Sequence, residues 1–253
     1  KHALIRLEEV RISDNNNISM DVYLENKSKT QTLSFFTWTA AINGIQIDPY
    51  YGEDIEPSKS KVATIDIPSS YLEMCQIDEI TKISVTFVAY DAENVEEEFL
   101  AEGTIVYYPY GEENVEEFKL AMDSSYDVLM DQDGIKVVSL GFQDTDAMGY
   151  AGMLYIQNDS ERCITTSIDT SEIDGVASEI FAYLEVDAGN IGFLEMYWSG
   201  ALAEEYDDDG NLIEKEGEAP DPATAKDIKV ELSVYDTDDW EADQIFYEMV
   251  DIK

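Results

Sequence analysis

The chain has a single histidine, His2, among 253 residues. Ser-His-Asp triads, histidine general bases and histidine-built metal sites therefore lack their raw material. Cysteine is nearly as scarce: Cys75 and Cys163 are too few for a disulfide framework or a zinc site. Both read as buried thiols, with a bridge between the two halves of the chain as the alternative. Cations are the next shortage, 15 Lys and Arg against 56 Asp and Glu, for a formal charge of −41. No basic block exceeds the alternating pairs Lys27/Lys29 and Lys59/Lys61. Nucleic acid and anionic lipid are bound by clustered cations that release counterions, so this balance excludes both as partners. It suits solubility, a basic partner or a divalent cation. No apolar run approaches the roughly 18–20 residues of a membrane helix. The sequence starts at Lys1 without Met, which is read as the loss of an upstream segment, a signal peptide and anchor being expected there.

What is present is a folding composition, 44% hydrophobic and 11% aromatic, and it repeats itself. VYLENKS (22–28) and LYIQNDS (154–160) share one pattern at an offset of 132. INGI (42–45) answers to IDGV (173–176) at 131, and ISVTFVAYDAEN (83–94) to IKVELSVYDTDD (228–239) at 145. Three blocks in one order predict two copies of one unit.

Each copy reads as β. ISMDVYLEN, TQTLSFFTWTAAI, SKVATIDI and ITKISVTFVAYD alternate apolar and polar residues and are separated by Asn, Asp, Gly and Pro. The helical candidates are a single turn at 69–74, capped by Ser69 or Ser70, and the acidic stretch 112–122. About seven short strands in roughly 110 residues is the pattern of an immunoglobulin-like sandwich. The expectation is therefore an all-β protein of two tandem immunoglobulin-like β-sandwich domains related by internal duplication. Domain 1 spans 1–110, an acidic linker 111–122, and domain 2 spans 123–253, opening with a hairpin that turns at Asp133-Gly134.

The Asn26-Lys27-Ser28 turn after an apolar strand, the Asn43-Gly44 and Asp174-Gly175 pairs, and Tyr90-Asp91 and Tyr235-Asp236 closing a late strand carry a resemblance. In these features the chain resembles the tandem β-sandwich modules of secreted lipoproteins from Gram-positive gut bacteria, a group without an assigned activity. The resemblance implies a fold and an extracellular, cell-surface address, and no catalytic residue carries over. The second copy departs from the pattern with Asp159 in place of Lys27, and the first carries one extra residue at Gln31.

Aligned copies act as controls on each other. Leu33, Phe35 and Thr37 answer to Ile164, Thr166 and Ile168, the inward set of one strand. On the opposite face Phe36 and Trp38 answer to Ser167 and Asp169. Phe36 and Trp38 are apolar where the second copy is polar, and are read as a contact surface, either against the second domain or for an external ligand. Tyr107, Tyr108 and Tyr110 in YYPYG read as tyrosines closing an edge strand, or as a sugar-stacking platform. Trp198 aligns with Ile67 and reads as core, while Trp240 aligns with Val95 as a partly exposed residue.

Between the blocks the offset jumps from 131 to 145, so the second copy carries 14 extra residues around EYDDDGNLIEKE, an acidic loop inserted near 205–223. Glu205, Asp207, Asp209, Asn211 and Glu216 surround Gly210 at the spacing of a calcium loop. Strand-like flanks before it and Pro220 and Pro222 after it exclude a helix–loop–helix hand. The competing reading is a plain β-hairpin turning through Asp209-Gly210. No carboxylate pair is singled out as acid and base, and calcium is the one cofactor considered. The sequence thus reads as a non-enzymatic extracellular binding or spacer module, with a protein or polysaccharide at the cell surface as partner. The alternatives are a carbohydrate-binding module using exposed aromatics, or a weak calcium-binding surface protein.

Overall fold

The computed structural model describes residues 2–13, 17–47, 49–67, 75, 77–94, 99–145, 149–203, 205–206, 212–213, 217–237, 239 and 244–252. The chain divides into two compact units, Lys1–Leu120 and Ala121–Lys253.

Unit 1 is built from β1 (Ala3–Ile12), β2 (Ile18–Asn26), β3 (Leu33–Ile42), β4 (Ile45–Ile47), β5 (Gly52–Ile55), β6 (Ser60–Ile67), β7 (Ile83–Asp91) and β8 (Ala101–Tyr107). β2 alternates buried and half-buried residues along its whole length, as an apolar/polar period of two requires. It pairs antiparallel with β1 on one side and β6 on the other. The second sheet runs β8-β7-β3, and the far edge of β3 is shared by β4 at its C-terminal end and β5 at its N-terminal end. The inward faces of both sheets meet in one core: Met20, Val22, Leu24 and Ile65 from the first sheet, Leu33, Phe35, Val85 and Phe87 from the second. Each such side chain contributes about 1.5–3 kcal/mol by leaving water, so this layer of contact holds the sheets together.

Unit 2 comprises β9 (Asp127–Gln132), β10 (Ile135–Thr145), β11 (Gly149–Asn158), β12 (Ile164–Ile173), β13 (Val176–Ile180), β14 (Ala182–Val186), β15 (Ile191–Met196), β16 (Trp198–Leu202), β17 (Glu205–Tyr206), β18 (Leu212–Ile213), β19 (Ile228–Asp236) and β20 (Phe246–Asp251). One sheet runs β9-β10-β11-β15. In the other, β20-β19-β12 continues to β13 and β14 on the far edge of β12, with β16 on β13. Ile156, Leu194, Ile164, Ile168, Leu232 and Val234 fill the core between them. Asp133 (φ 53°) and Gly134 (φ 79°) make the left-handed two-residue turn between β9 and β10.

Buried side-chain amides fix the loops. The Asn26 amide, wholly buried, donates to the carbonyls of Gln31 and Ile55, each at 2.8 Å, and accepts from Ser28 N at 2.8 Å. Asn158 repeats this with Arg162 O and Val186 O at 2.8 Å and Ser160 N at 3.1 Å. Asn43 (φ 51°) and Asp174 (φ 50°) both begin left-handed turns. The side-chain oxygen of each accepts two backbone N–H groups, those of Thr81 and Lys82 for Asn43, and of Lys226 and Asp227 for Asp174.

The acidic stretch 112–122 forms one turn of 3-10 helix, Glu112–Asn114, and ends there, with Val115 already extended. The helix expected over this stretch is replaced by backbone anchoring: Phe118 N donates to Asn43 O at 2.8 Å and Glu116 N to Thr81 Oγ1 at 3.0 Å. The segment read as a linker is thus fastened to unit 1. The helical turn expected at 69–74 lies outside the described residues.

Candidate functional site

The outer face of the β8-β7-β3-β5 sheet carries an aromatic cluster. Its first member, Phe36, lies between Val88 of β7 and Gly52 of β5 in the sheet register. Its ring stacks on that of Tyr90, centroids 5.1 Å apart and planes within 8°. Gly52 leaves the space for that ring: a Cβ there would lie 2.5 Å from Phe36 Cε1. A β-bulge between Thr37 and Thr39 inserts Trp38 as an extra residue. Trp38 is 54% exposed and meets Phe99 edge-on, centroids 5.3 Å apart at 67°. Val88 lies outside the core cluster yet is 1% exposed, so this face carries a small apolar layer of its own.

Carboxylates border the cluster on two sides. Glu102 is the register partner of Val88, one strand beyond Phe36. Asp54 lies across from Ser34, whose hydroxyl donates to it, and Ser34 is in turn the partner of Tyr90. Burial, then the Asp54 charge, push the Tyr90 phenol up. Among the described residues no Lys or Arg forms an ion pair with Asp54 or Glu102.

The other residues singled out from the sequence fall elsewhere. Tyr107 packs against the inner core of unit 1, beside Ile83 at the opposite end of the sheet from Phe36. Tyr108 is half-buried, while Tyr110 is 56% exposed beside Glu79, whose charge pushes its phenol up. The three tyrosines therefore form no single platform with Trp38. Trp198 packs on the core of unit 2 from β16, its indole N–H donating to Ser171 Oγ at 3.0 Å. Trp240 and Val95 lie outside the described residues. Of the acidic loop, the pairings Glu205↔Ile213 and Tyr206↔Leu212 are in place, a two-strand ladder of the kind a hairpin makes. Asp207, Asp209, Asn211 and Glu216 lie outside the described residues. Among the described residues no group of three or more His, Cys, Asp or Glu is placed to hold a metal ion.

The residues that comparison of the two copies missed sit on neighbouring strands. In unit 2 Ser167, which the sequence alignment sets against Phe36, has register partners Tyr183 on one side and Ser233 on the other, followed by Tyr247. Tyr183 and Tyr247 are both exposed, as is Met249, so this face, expected to be polar, is also partly aromatic. Hydrogen bonding to Glu231 pushes the Tyr247 phenol up. In unit 1 the missed members are Tyr90, Phe99 and Gly52. Tyr90 was legible as the outward residue ending ISVTFVAYD, whereas Gly52 and Phe99 lie on segments without a strand signature.

Asp21 is held down to about 2 by hydrogen bonds from Arg11 and then Thr64, and Asp123 is lowered by the backbone and hydroxyl of Ser125. Cys75 and Cys163 are free and half-buried rather than buried as expected, and that partial burial pushes the thiols up to about 12 and about 11, away from the reactive thiolate.

No protein-family model and no curated protein sequence matches the chain. Among solved structures, the crystal structure of the YadV chaperone is similar at 11% identity and a TM-score of 0.28, over 100% of each chain. A likeness at that level carries no argument about fold detail or function.

Proposed function

We propose that the chain is a non-enzymatic, extracellular binding module of two immunoglobulin-like β-sandwiches related by internal duplication. Its contact surface is the outer face around Trp38. The observation that carries the binding reading is Trp38 itself, a tryptophan at a β-bulge, 54% exposed, edge-on to Phe99 and on the same outer face as the Phe36–Tyr90 stack. Isolated exposed apolar residues are ordinary, but Trp38 and Phe99 share their face with a second ring pair whose Phe36 is held between Gly52 and Val88.

The immunoglobulin-like reading is supported by strand order. β1-β2-β6 faces β8-β7-β3 in unit 1, and β10-β11-β15 faces β20-β19-β12 in unit 2. The duplication is supported by the matched bonding of Asn26 with Asn158 and of Asn43 with Asp174. The cell-surface address rests on the resemblance of the turn motifs alone. A polysaccharide platform would present coplanar ring faces. Phe36 instead spends one face on Tyr90, and Trp38 stands at 67° to Phe99, which favours a ligand that places one group against Trp38.

The test compares the intact chain with a Trp38→Ala/Phe99→Ala variant for binding to immobilised basic peptides and wall polysaccharides. Loss of binding by about tenfold with an unchanged far-UV spectrum is the expected result, the size that one aromatic anchor supplies. Binding indifferent to both rings would remove this face from the reading.

A further inference from the structure

Resting on the binding reading above, we infer that the Trp38 face takes a cationic side chain, Arg or Lys, presented on an extended segment of a basic partner protein. Unit 1 already contains the filled form of such a site. On β1, the Arg6 guanidinium sits 4.9 Å over the Tyr23 ring and donates to Glu8 Oε1 at 2.5 and 2.9 Å. An aromatic face and a carboxylate together hold one cation there.

The Trp38 face carries the same kinds of group, spread along the sheet and without a cation among the described residues. Trp38, Phe99, Phe36 and Tyr90 supply the rings, and the exposed Asp54 and Glu102 flank them on either side. No cation among the described residues forms an ion pair with either acid. An anionic ligand would meet two exposed carboxylates on the same face. A guanidinium or ammonium over the indole satisfies the ring quadrupole, while further cations on the same extended segment meet Asp54, which lies opposite Ser34 on β5, and Glu102, which lies opposite Val88 on β8. The net charge of −41 draws a basic partner toward the chain at long range, while the ring cluster selects where it seats. The second unit offers related chemistry, with exposed Tyr183, Tyr247 and Met249 beside Glu231. Its Ser167 and Ser233 leave no indole to anchor the cation, so the first unit is the site.

Hexa-arginine amide titrated into the full chain at 150 mM NaCl, followed by calorimetry and tryptophan fluorescence, separates a seat from diffuse attraction. The expected result is a loss of affinity of about tenfold for Trp38→Ala, the scale of a desolvated cation–π contact. A similar loss is expected for Asp54→Asn/Glu102→Gln, in which the amide oxygen introduced at position 54 still accepts the Ser34 hydroxyl and so leaves the fold in place. The control Glu161→Gln/Glu172→Gln, equal in charge and placed on unit 2, changes affinity by less than about twofold. Equal losses for control and site variants would reduce the binding to net charge and overturn the inference. So would failure of the peptide to bind. A neutral polysaccharide whose binding depends on Trp38 while hexa-arginine binding does not would keep the binding face and overturn the cation.

Discussion

Asn26 is fully buried and spends every hydrogen-bonding group of its amide on backbone from two separate loops. Removing it leaves the carbonyls of Gln31 and Ile55 and the N–H of Ser28 unpaired where water does not reach, at about 1–3 kcal/mol for each buried group. Asn26→Ala is therefore expected to cost about 3 kcal/mol in urea unfolding of unit 1, and Asn158→Ala a similar amount in unit 2. A cost below about 1 kcal/mol in either would mean the loops hold their shape without the amide. The Asn-Lys-Ser and Asn-Asp-Ser turns were readable from the sequence because a turn is local. That the same amides reach Ile55 O and Val186 O, 29 and 28 residues on, was not, since a contact between distant loops leaves no periodicity. Trp38 shows the same divide: its outward position followed from alternation, whereas its partner Phe99 did not.

At the scale of the element, the strands that alternate cleanly were placed from the sequence nearly to the residue, β2 over Ile18–Asn26 and β6 over Ser60–Ile67 among them. The short strands β4, β5, β13 and β14 carry too few residues to show a period. One of them shapes the candidate site: β5 supplies Gly52 beside Phe36, whereas β14 supplies Tyr183 beside Ser167 on the second unit. Gly52→Ala places a methyl carbon where Phe36 Cε1 now lies 2.5 Å away, so the ring must turn out of its stack with Tyr90. The expected outcome is a changed near-UV circular dichroism spectrum and a cost of about 1–2 kcal/mol, with far-UV signal retained. Unchanged near-UV signal would show that the stack does not depend on β5.

Over the whole molecule, charge is divided unevenly. Residues 1–120 hold 9 basic and 23 acidic side chains, a net −14, whereas residues 121–253 hold 6 and 33, a net −27. Each unit closes its own core, so each is expected to fold when expressed alone. Self-repulsion that salt screens is then larger in the second. Raising NaCl from about 20 mM to about 500 mM is expected to lift the Tm of the 121–253 fragment by several degrees, roughly 5 °C, and that of the 1–120 fragment by less. Equal shifts would mean that local pairing rather than net charge sets the response. The bulge at Trp38 has a consequence for how such a chain diversifies. It lets β3 before and after residue 38 stay in phase with the interior independently. Relatives with a different residue at that point would keep the same foldability while changing what they recognise.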